Sequence, residues 1–239
     1  MLGLGTGLVY GGDVEEFLPE KVSSLIHWYK HAEGLEDAGG AFPDDDEKII
    51  IWRDSKGSND ATSLDTDDSG TDSSLWDNTN KAVVSDAVGG FTLASRLTLG
   101  SFSMYFRIQF VQTPSANDIF TRQNPPDHNN MFVRIQAANL FRAKIAGTTR
   151  TFQAATAADS SALTTGQYYN IGFERDGENQ LRVYRDGVES TTGALTDSSD
   201  IIIDRLECGR EDLYVTTLIF NDALSANNRR YLQTYLSNI

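Results

Sequence analysis

The sequence predicts an all-β protein of short antiparallel strands, and three observations carry that prediction. The first is the stretch from Tyr168 to Gly187. It reads strand, Asp176-Gly177, strand, Asp186-Gly187, with the two Asp-Gly pairs ten residues apart. Asp-Gly between β-rich runs is a strong hairpin signal, because both residues accept positive φ. The second is Phe102 to Val111, where Phe102, Met104, Phe106, Ile108 and Phe110 alternate with Ser103, Tyr105, Arg107 and Gln109. Period-two alternation makes one core wall and one outer wall, and a one-residue slip would expose every large apolar group in the row. The third is spacing: strand-like runs recur along the chain between polar, Gly-containing turns, as sandwiches and barrels both require.

The elements follow in order. Residues 1–20 form an extended arm: five of the first twelve residues are Gly, which makes isolated order entropically expensive. The interleaved Leu2, Leu4, Leu8, Val9 and Tyr10 suit a segment that orders against a partner. Residues 21–239 form one domain, with no linker and no internal repeat. It opens with a short helical turn entering a strand at Leu25 to Tyr29. Ile49 to Arg53 is a strand. Residues 33–48 and 54–80 read as loops. Lys81 to Val84 and Phe91 to Ala94 read as strands joined by a turn at Gly89-Gly90. Further strands are expected at Asp118–Thr121, Met131–Gln136, Leu140–Ile145, Thr149–Gln153, Tyr168–Arg175, Gln180–Arg185, Ile201–Leu206 and Leu213–Asn221. The polar loop 123–130 carries two prolines that cannot donate to a ladder. The chain closes with a helix from Leu224 to Ser237, N-capped by Ser225, whose Tyr231, Leu232, Tyr235 and Leu236 face the sheet.

Charge is lopsided. The 239 residues carry 34 acidic and 20 basic side chains, a net of −14. Residues 33–77 hold fourteen acids and three bases. A basic footprint is absent, which argues against direct nucleic-acid binding. No apolar run approaches spanning length, so membrane insertion is not expected. The single cysteine, Cys208, excludes an intrachain disulfide.

Four segments carry a family likeness: Leu25-Ile-His-Trp-Tyr-Lys30, Trp52-Arg-Asp-Ser-Lys-Gly-Ser-Asn-Asp-Ala61, the hairpin from Phe173 to Gly187, and Leu218-Ile-Phe-Asn-Asp-Ala-Leu-Ser225 with the helix after it. Together they resemble the concanavalin A-like lectin/glucanase superfamily in its laminin-G-like form. Lys56 stands where that pattern often has Ser. The resemblance implies a two-sheet antiparallel jelly-roll sandwich. The Trp-Tyr opening strand, the Trp-Arg-Asp-Ser element and the Gly-rich start most resemble single-domain proteins of tailed bacteriophages.

Several constellations invite a chemical reading. Glu174-Arg-Asp176-Gly-Glu178 matches the Glu-x-Asp-x-Glu pattern of jelly-roll glycanases, in which two carboxylates flank the scissile bond. The turn at Asp176-Gly177 breaks the strand before Glu178, so a hairpin explains the segment better. Asp65, Asp67, Ser69 and Asp72 resemble the first half of a calcium loop, with oxygen ligands at alternate positions and Gly70 at the sharp turn. The twelfth position is Trp76, where a bidentate Glu belongs. Calcium is therefore the one candidate cofactor. His27, His31 and His128 lack metal spacing. Trp76 is the candidate for stacking on a sugar, while Trp28 and Trp52 sit in apolar strands and read as core.

The expectation is a non-enzymatic virion protein, decorating a capsid or associated with a tail or fibre and assembled in the host cytoplasm. It would dock on other virion proteins through Leu2 to Tyr10 and a sheet edge; a homo-oligomer is compatible with this. The alternative is a lectin-like module binding cell-surface glycan, with or without calcium.

Overall fold

A computed structural model describes residues 18–30, 32–64, 73–85, 88–116, 118–123, 130–209 and 212–239. In chain order, a 3-10 turn at Pro19–Lys21 leads into β1 (Leu25–Tyr29), β2 (Leu35–Glu36), β3 (Ile51–Trp52), β4 (Ala61–Ser63), β5 (Ser74–Asp77), β6 (Ala82–Ser85), β7 (Val88–Leu99), β8 (Phe102–Gln109), β9 (Ile119–Arg122), β10 (Phe132–Ala137), β11 (Leu140–Ile145), β12 (Thr148–Gln153), β13 (Tyr168–Arg175), β14 (Gln180–Arg185), β15 (Val188–Glu189), β16 (Leu195–Thr196), β17 (Ile201–Gly209), β18 (Leu213–Phe220) and the helix α1 (Ala226–Ser237). The strands form two antiparallel sheets. The first runs β15-β14-β13-β8-β18-β6-β5, with β1 also on β18 and β16 also on β14. The second runs β12-β11-β10-β9-β17-β7-β4-β3-β2.

The alternating row in β8 places the core. Phe102, Met104, Phe106, Ile108 and Phe110 are all at most 1% exposed. Each buried side chain of this size contributes about 1.5–3 kcal/mol. Phe106 stacks on Phe120 of the second sheet, with centroids 4.7 Å apart, and Phe173 and Tyr214 close around the same ring. On the opposite side of β8, Ser103 and Tyr105 are also buried, because α1 lies over that face. Leu232 and Leu236 of the helix are fully buried there, and Tyr235 meets Trp28 edge-on at 5.8 Å. Ser225 caps the helix as expected, its Oγ accepting from the Asn228 amide at 3.2 Å. Tyr231 departs from expectation: it is 41% exposed and turned off the sheet.

Other departures have local causes. Gly89-Gly90 is not a turn; both lie inside β7, opposite Cys208 and Glu207 of β17. A Cβ on Gly90 would sit 2.5 Å from the Leu206 carbonyl oxygen, so glycine here permits close strand approach. The strand expected over Ile49 to Arg53 shrinks to Ile51–Trp52, because the chain changes sheets in the middle. The Ile49 amide donates to Ser74 of the first sheet, whereas Ile51 pairs with β2 and β4 of the second. Strands β4 and β5 lie in a stretch that composition marks as loop. Asp186-Gly187 is the expected two-residue turn, with φ of 52° and 80°. At Asp176 the turn is longer than expected: it runs to Asn179, which takes the positive φ (63°), and the Asp176 carboxylate accepts from the amides of Glu178 and Gln180.

Candidate functional site

The Trp52–Ala61 motif folds into a knot around one carboxylate. Asp54 Oδ1 accepts from the amides of Trp28 (3.0 Å) and Lys56 (3.1 Å); Oδ2 meets the Asn59 amide (3.1 Å) and His27 Nδ1 (2.6 Å). Burial alone would raise the Asp54 carboxyl, but the His27 bond and the surrounding amides hold it well below the usual carboxylate range. Gly57 is required because a Cβ there would lie 2.6 Å from Asp54 Oδ2. Asn59 continues the knot by exchanging two side-chain bonds with the backbone of Ser95. The motif fastens β1, β4 and β7 together, so its residues are structural.

Glu174 is also committed. It is 3% exposed beneath α1. Its Oε1 accepts from the Tyr105 hydroxyl (2.5 Å) and from Arg229 Nε (3.1 Å), and its Oε2 from Arg229 Nη2 (2.7 Å). The guanidinium lies 4.0 Å over the Tyr184 ring. Burial pushes the Tyr184 hydroxyl up to about 12, and the Glu174 charge adds to it. Glu178 projects from the turn beyond the strand. The two carboxylates therefore do not share a strand face.

The remaining sequence-derived candidates separate sharply. Trp76 is 2% exposed, and Phe42 stands edge-on to it at 5.2 Å. Its ring belongs to the interior and offers no open face to a sugar, which corrects the stacking expectation. Leu2, Leu4, Leu8, Val9 and Tyr10 lie outside the described residues, as do Asp65, Asp67, Ser69 and Asp72. Among the described residues no group of three or more His, Cys, Asp or Glu is placed to hold a metal ion. Nor is any helix among them long and apolar enough to cross a membrane.

A feature that the motifs do not announce lies on the outer face of the second sheet. Strands β9 to β12 contain Arg122, Arg134, Arg142, Lys144 and Arg150 and no Asp or Glu. Residues 128–158 as a whole lack acidic side chains, in a chain of net charge −14. Val133, Ile135, Phe141, Ala143 and Ile145 point into the core, so Phe132, Arg134, Gln136, Arg142 and Lys144 point out. Register puts Arg134 directly opposite Arg142, and Phe132 opposite Lys144. The Arg134 guanidinium lies 4.4 Å over the Phe132 ring and donates to Gln136 Oε1 at 2.9 Å. Burial, and after it the charge of Arg142, lowers the Arg134 guanidinium below its ordinary value. The Nε atoms of both arginines are buried without a hydrogen-bond partner. Neighbouring cations differ: Arg122 Nε lies 2.6 Å from Glu207, Arg205 Nε 3.2 Å from the same carboxylate, and Arg150 turns to the rim to reach Thr196 and Asp197. Both described helices pack on the first sheet, leaving this face without a helical cover. The signal that could have revealed the site is the acid-free stretch, which a whole-chain charge count conceals.

The described strands form the two-sheet antiparallel sandwich that the sequence motifs anticipate. The family model of the concanavalin A-like lectin/glucanases superfamily matches residues 77–211, more than half of the chain. This chain belongs to that superfamily. No curated protein matches the sequence. Among solved structures, Trypanosoma rangeli sialidase aligns at 12% identity with a TM-score of 0.57, over 90% of this chain and 33% of that one. Domain 4 of AbnA, a GH43 extracellular arabinanase from Geobacillus stearothermophilus, in complex with arabinotriose, aligns at 15% identity and TM-score 0.55, over 88% and 98%. The botulinum neurotoxin serotype D ligand binding domain in complex with N-acetylneuraminic acid aligns at 12% and 0.54, over 89% and 51%. The chain thus spans about a third of the sialidase chains it matches. At these identities the likeness is one of fold.

Proposed function

We propose that this chain is a non-enzymatic carbohydrate-binding module, with the outer face of the second sheet as its binding surface. The observation that carries the reading is that face. Among the described residues no helix covers it, and it aligns Arg134, Gln136, Arg142 and Lys144 as outward hydrogen-bond donors on adjacent strands. Superfamily membership supports it, as do the two similar structures in complex with arabinotriose and N-acetylneuraminic acid. The engagement of Glu174 under α1 supports binding over hydrolysis. The test is a glycan array probed with the whole chain, followed by calorimetry on the hits. Retention of no glycan would refute the reading. Chelation separates the two candidate surfaces: binding on the sheet face survives EDTA, whereas loss of binding on chelation would move the site to Asp65–Asp72.

The bacteriophage-like motif set and the apolar arm favour a second reading, compatible with the first. In it the module sits on a virion, fastened through Leu2 to Tyr10 and a sheet edge. Deleting residues 2–12 should remove the chain from purified particles, as read by mass spectrometry; unchanged incorporation would end that reading.

A further inference from the structure

We propose that the ligand of this module is an acidic saccharide, whose carboxylate or sulfate is held across Arg134 and Arg142. This deepens the carbohydrate-binding reading and rests on it. The first argument is electrostatic. Two like charges directly opposite on adjacent strands destabilise a sheet, and here no described carboxylate offsets them. An anion laid between the guanidiniums would turn that repulsion into two charge-assisted hydrogen-bond sets. Arginine suits the task, because its planar fork matches a carboxylate or sulfate in a bidentate manner.

The second argument is preorganisation. Phe132 supports Arg134 from below and Gln136 fixes one of its terminal nitrogens, so little side-chain freedom remains to be lost. With Gln136 Oε1 occupied by Arg134, its NH2 end is the donor left for a sugar hydroxyl. Thr151 stands opposite Arg142 and Thr149 opposite Lys144, adding hydroxyls beside the charges.

The third argument concerns extent. The uncompensated strip is short, since Arg122 and Arg205 on one side already share Glu207. Beyond it the chain is strongly acidic. A single anionic group on a sugar fits such a spot, whereas a polynucleotide needs a longer basic track.

The test compares binding of the whole chain to oligogalacturonate, a carrageenan oligosaccharide, an uncharged β-galacto-oligosaccharide and a short oligothymidylate. The first two separate carboxylate from sulfate. We expect at least one acidic saccharide to bind roughly tenfold or more tighter than the neutral one, and the R134Q/R142Q double variant to lose roughly 100-fold in that affinity. The R134K/R142K variant keeps charge without the fork and should fall between. Thr151→Glu places a carboxylate beside Arg142 and should block acidic ligands with the fold intact, so the test does not hang on one variant. Neutral and acidic saccharides binding alike, unaffected by these changes, would overturn the inference and leave the carbohydrate-binding reading standing. Tighter binding to oligothymidylate than to any saccharide would also overturn it. Absence of binding to every saccharide would overturn both.

Discussion

On the outer face of the first sheet, Arg229 reaches down from α1 with both carboxylate oxygens of Glu174 within hydrogen-bond reach. On the outer face of the second, Arg134 and Arg142 oppose each other with no carboxylate of the described residues between them. The same residue type serves two ends. Between the helix and the sheet, solvent access is restricted, and an unpaired guanidinium would be costly. Burial alone would depress the Arg229 guanidinium, but Glu174 raises it above its ordinary value, so the charged form is the stable one there. On the second sheet the charges are half-buried and unbalanced, which the fold tolerates only because solvent screens them. The first arrangement holds the molecule together. The second stores an unsatisfied demand for an anion.

The sharpest way to break this comparison is at Glu174. Replacing it with Ala leaves the partly buried Arg229 and the buried Tyr105 hydroxyl without their carboxylate, and should cost about 3–5 kcal/mol in chemical denaturation. Glycan binding by the folded fraction should be unchanged. A mild loss of stability, or a selective loss of binding, would mean that the first sheet's face is more than a fastening. Next in size is Asp54→Ala, which strands several buried amides and should cost about 2–4 kcal/mol. Its sign with pH is fixed. The folded carboxyl lies below its ordinary value, so its contribution is complete above the usual carboxylate range and is lost as pH falls through that range toward the folded value. Asp54→Asn should therefore flatten the acid limb of the stability profile below about pH 5. Smaller again is Gly172→Ala, where the new Cβ would collide with the Tyr105 ring. Displacing that ring disturbs the hydroxyl that donates to Glu174, and overpacking of this kind costs about 1–3 kcal/mol.

These two regions were not equally legible in the sequence. The alternation from Phe102 to Phe110 reported the core directly, because burial on one face imposes a period of two. Ser225 and the Asp186-Gly187 turn were equally local signals. Strands β4 and β5 escaped notice because Ala61–Ser63 and Ser74–Asp77 are short runs inside a stretch dominated by Asp, Ser, Thr and Asn, and they become strands only through their neighbours' register. Gly89-Gly90 reads as a turn until the Leu206 carbonyl is placed beside it. Glu174 could be seen to lack its catalytic geometry, since the turn at Asp176 was visible, but its partners Tyr105 and Arg229 are too distant in sequence for any local rule. The Arg134–Arg142 pair needed the β10–β11 register before two scattered arginines became a site, and Trp76 needed its burial before it ceased to be one.

The smallest predicted effect discriminates best, because it carries the opposite sign. If Arg134 and Arg142 repel without compensation, removing one charge should relieve the sheet. Like-charge cross-strand pairs are unfavourable by about 0.2–1 kcal/mol, so Arg142→Gln should raise the denaturation midpoint slightly at low salt. The gain should shrink as salt screens the repulsion between the two half-buried groups. It should vanish if a carboxylate already neutralises the pair, and a net loss of stability would make Arg142 a structural residue like Arg229. A more stable variant that no longer binds its saccharide would show stability given up for recognition at this position, the trade expected where a charge is kept for a ligand rather than for the fold.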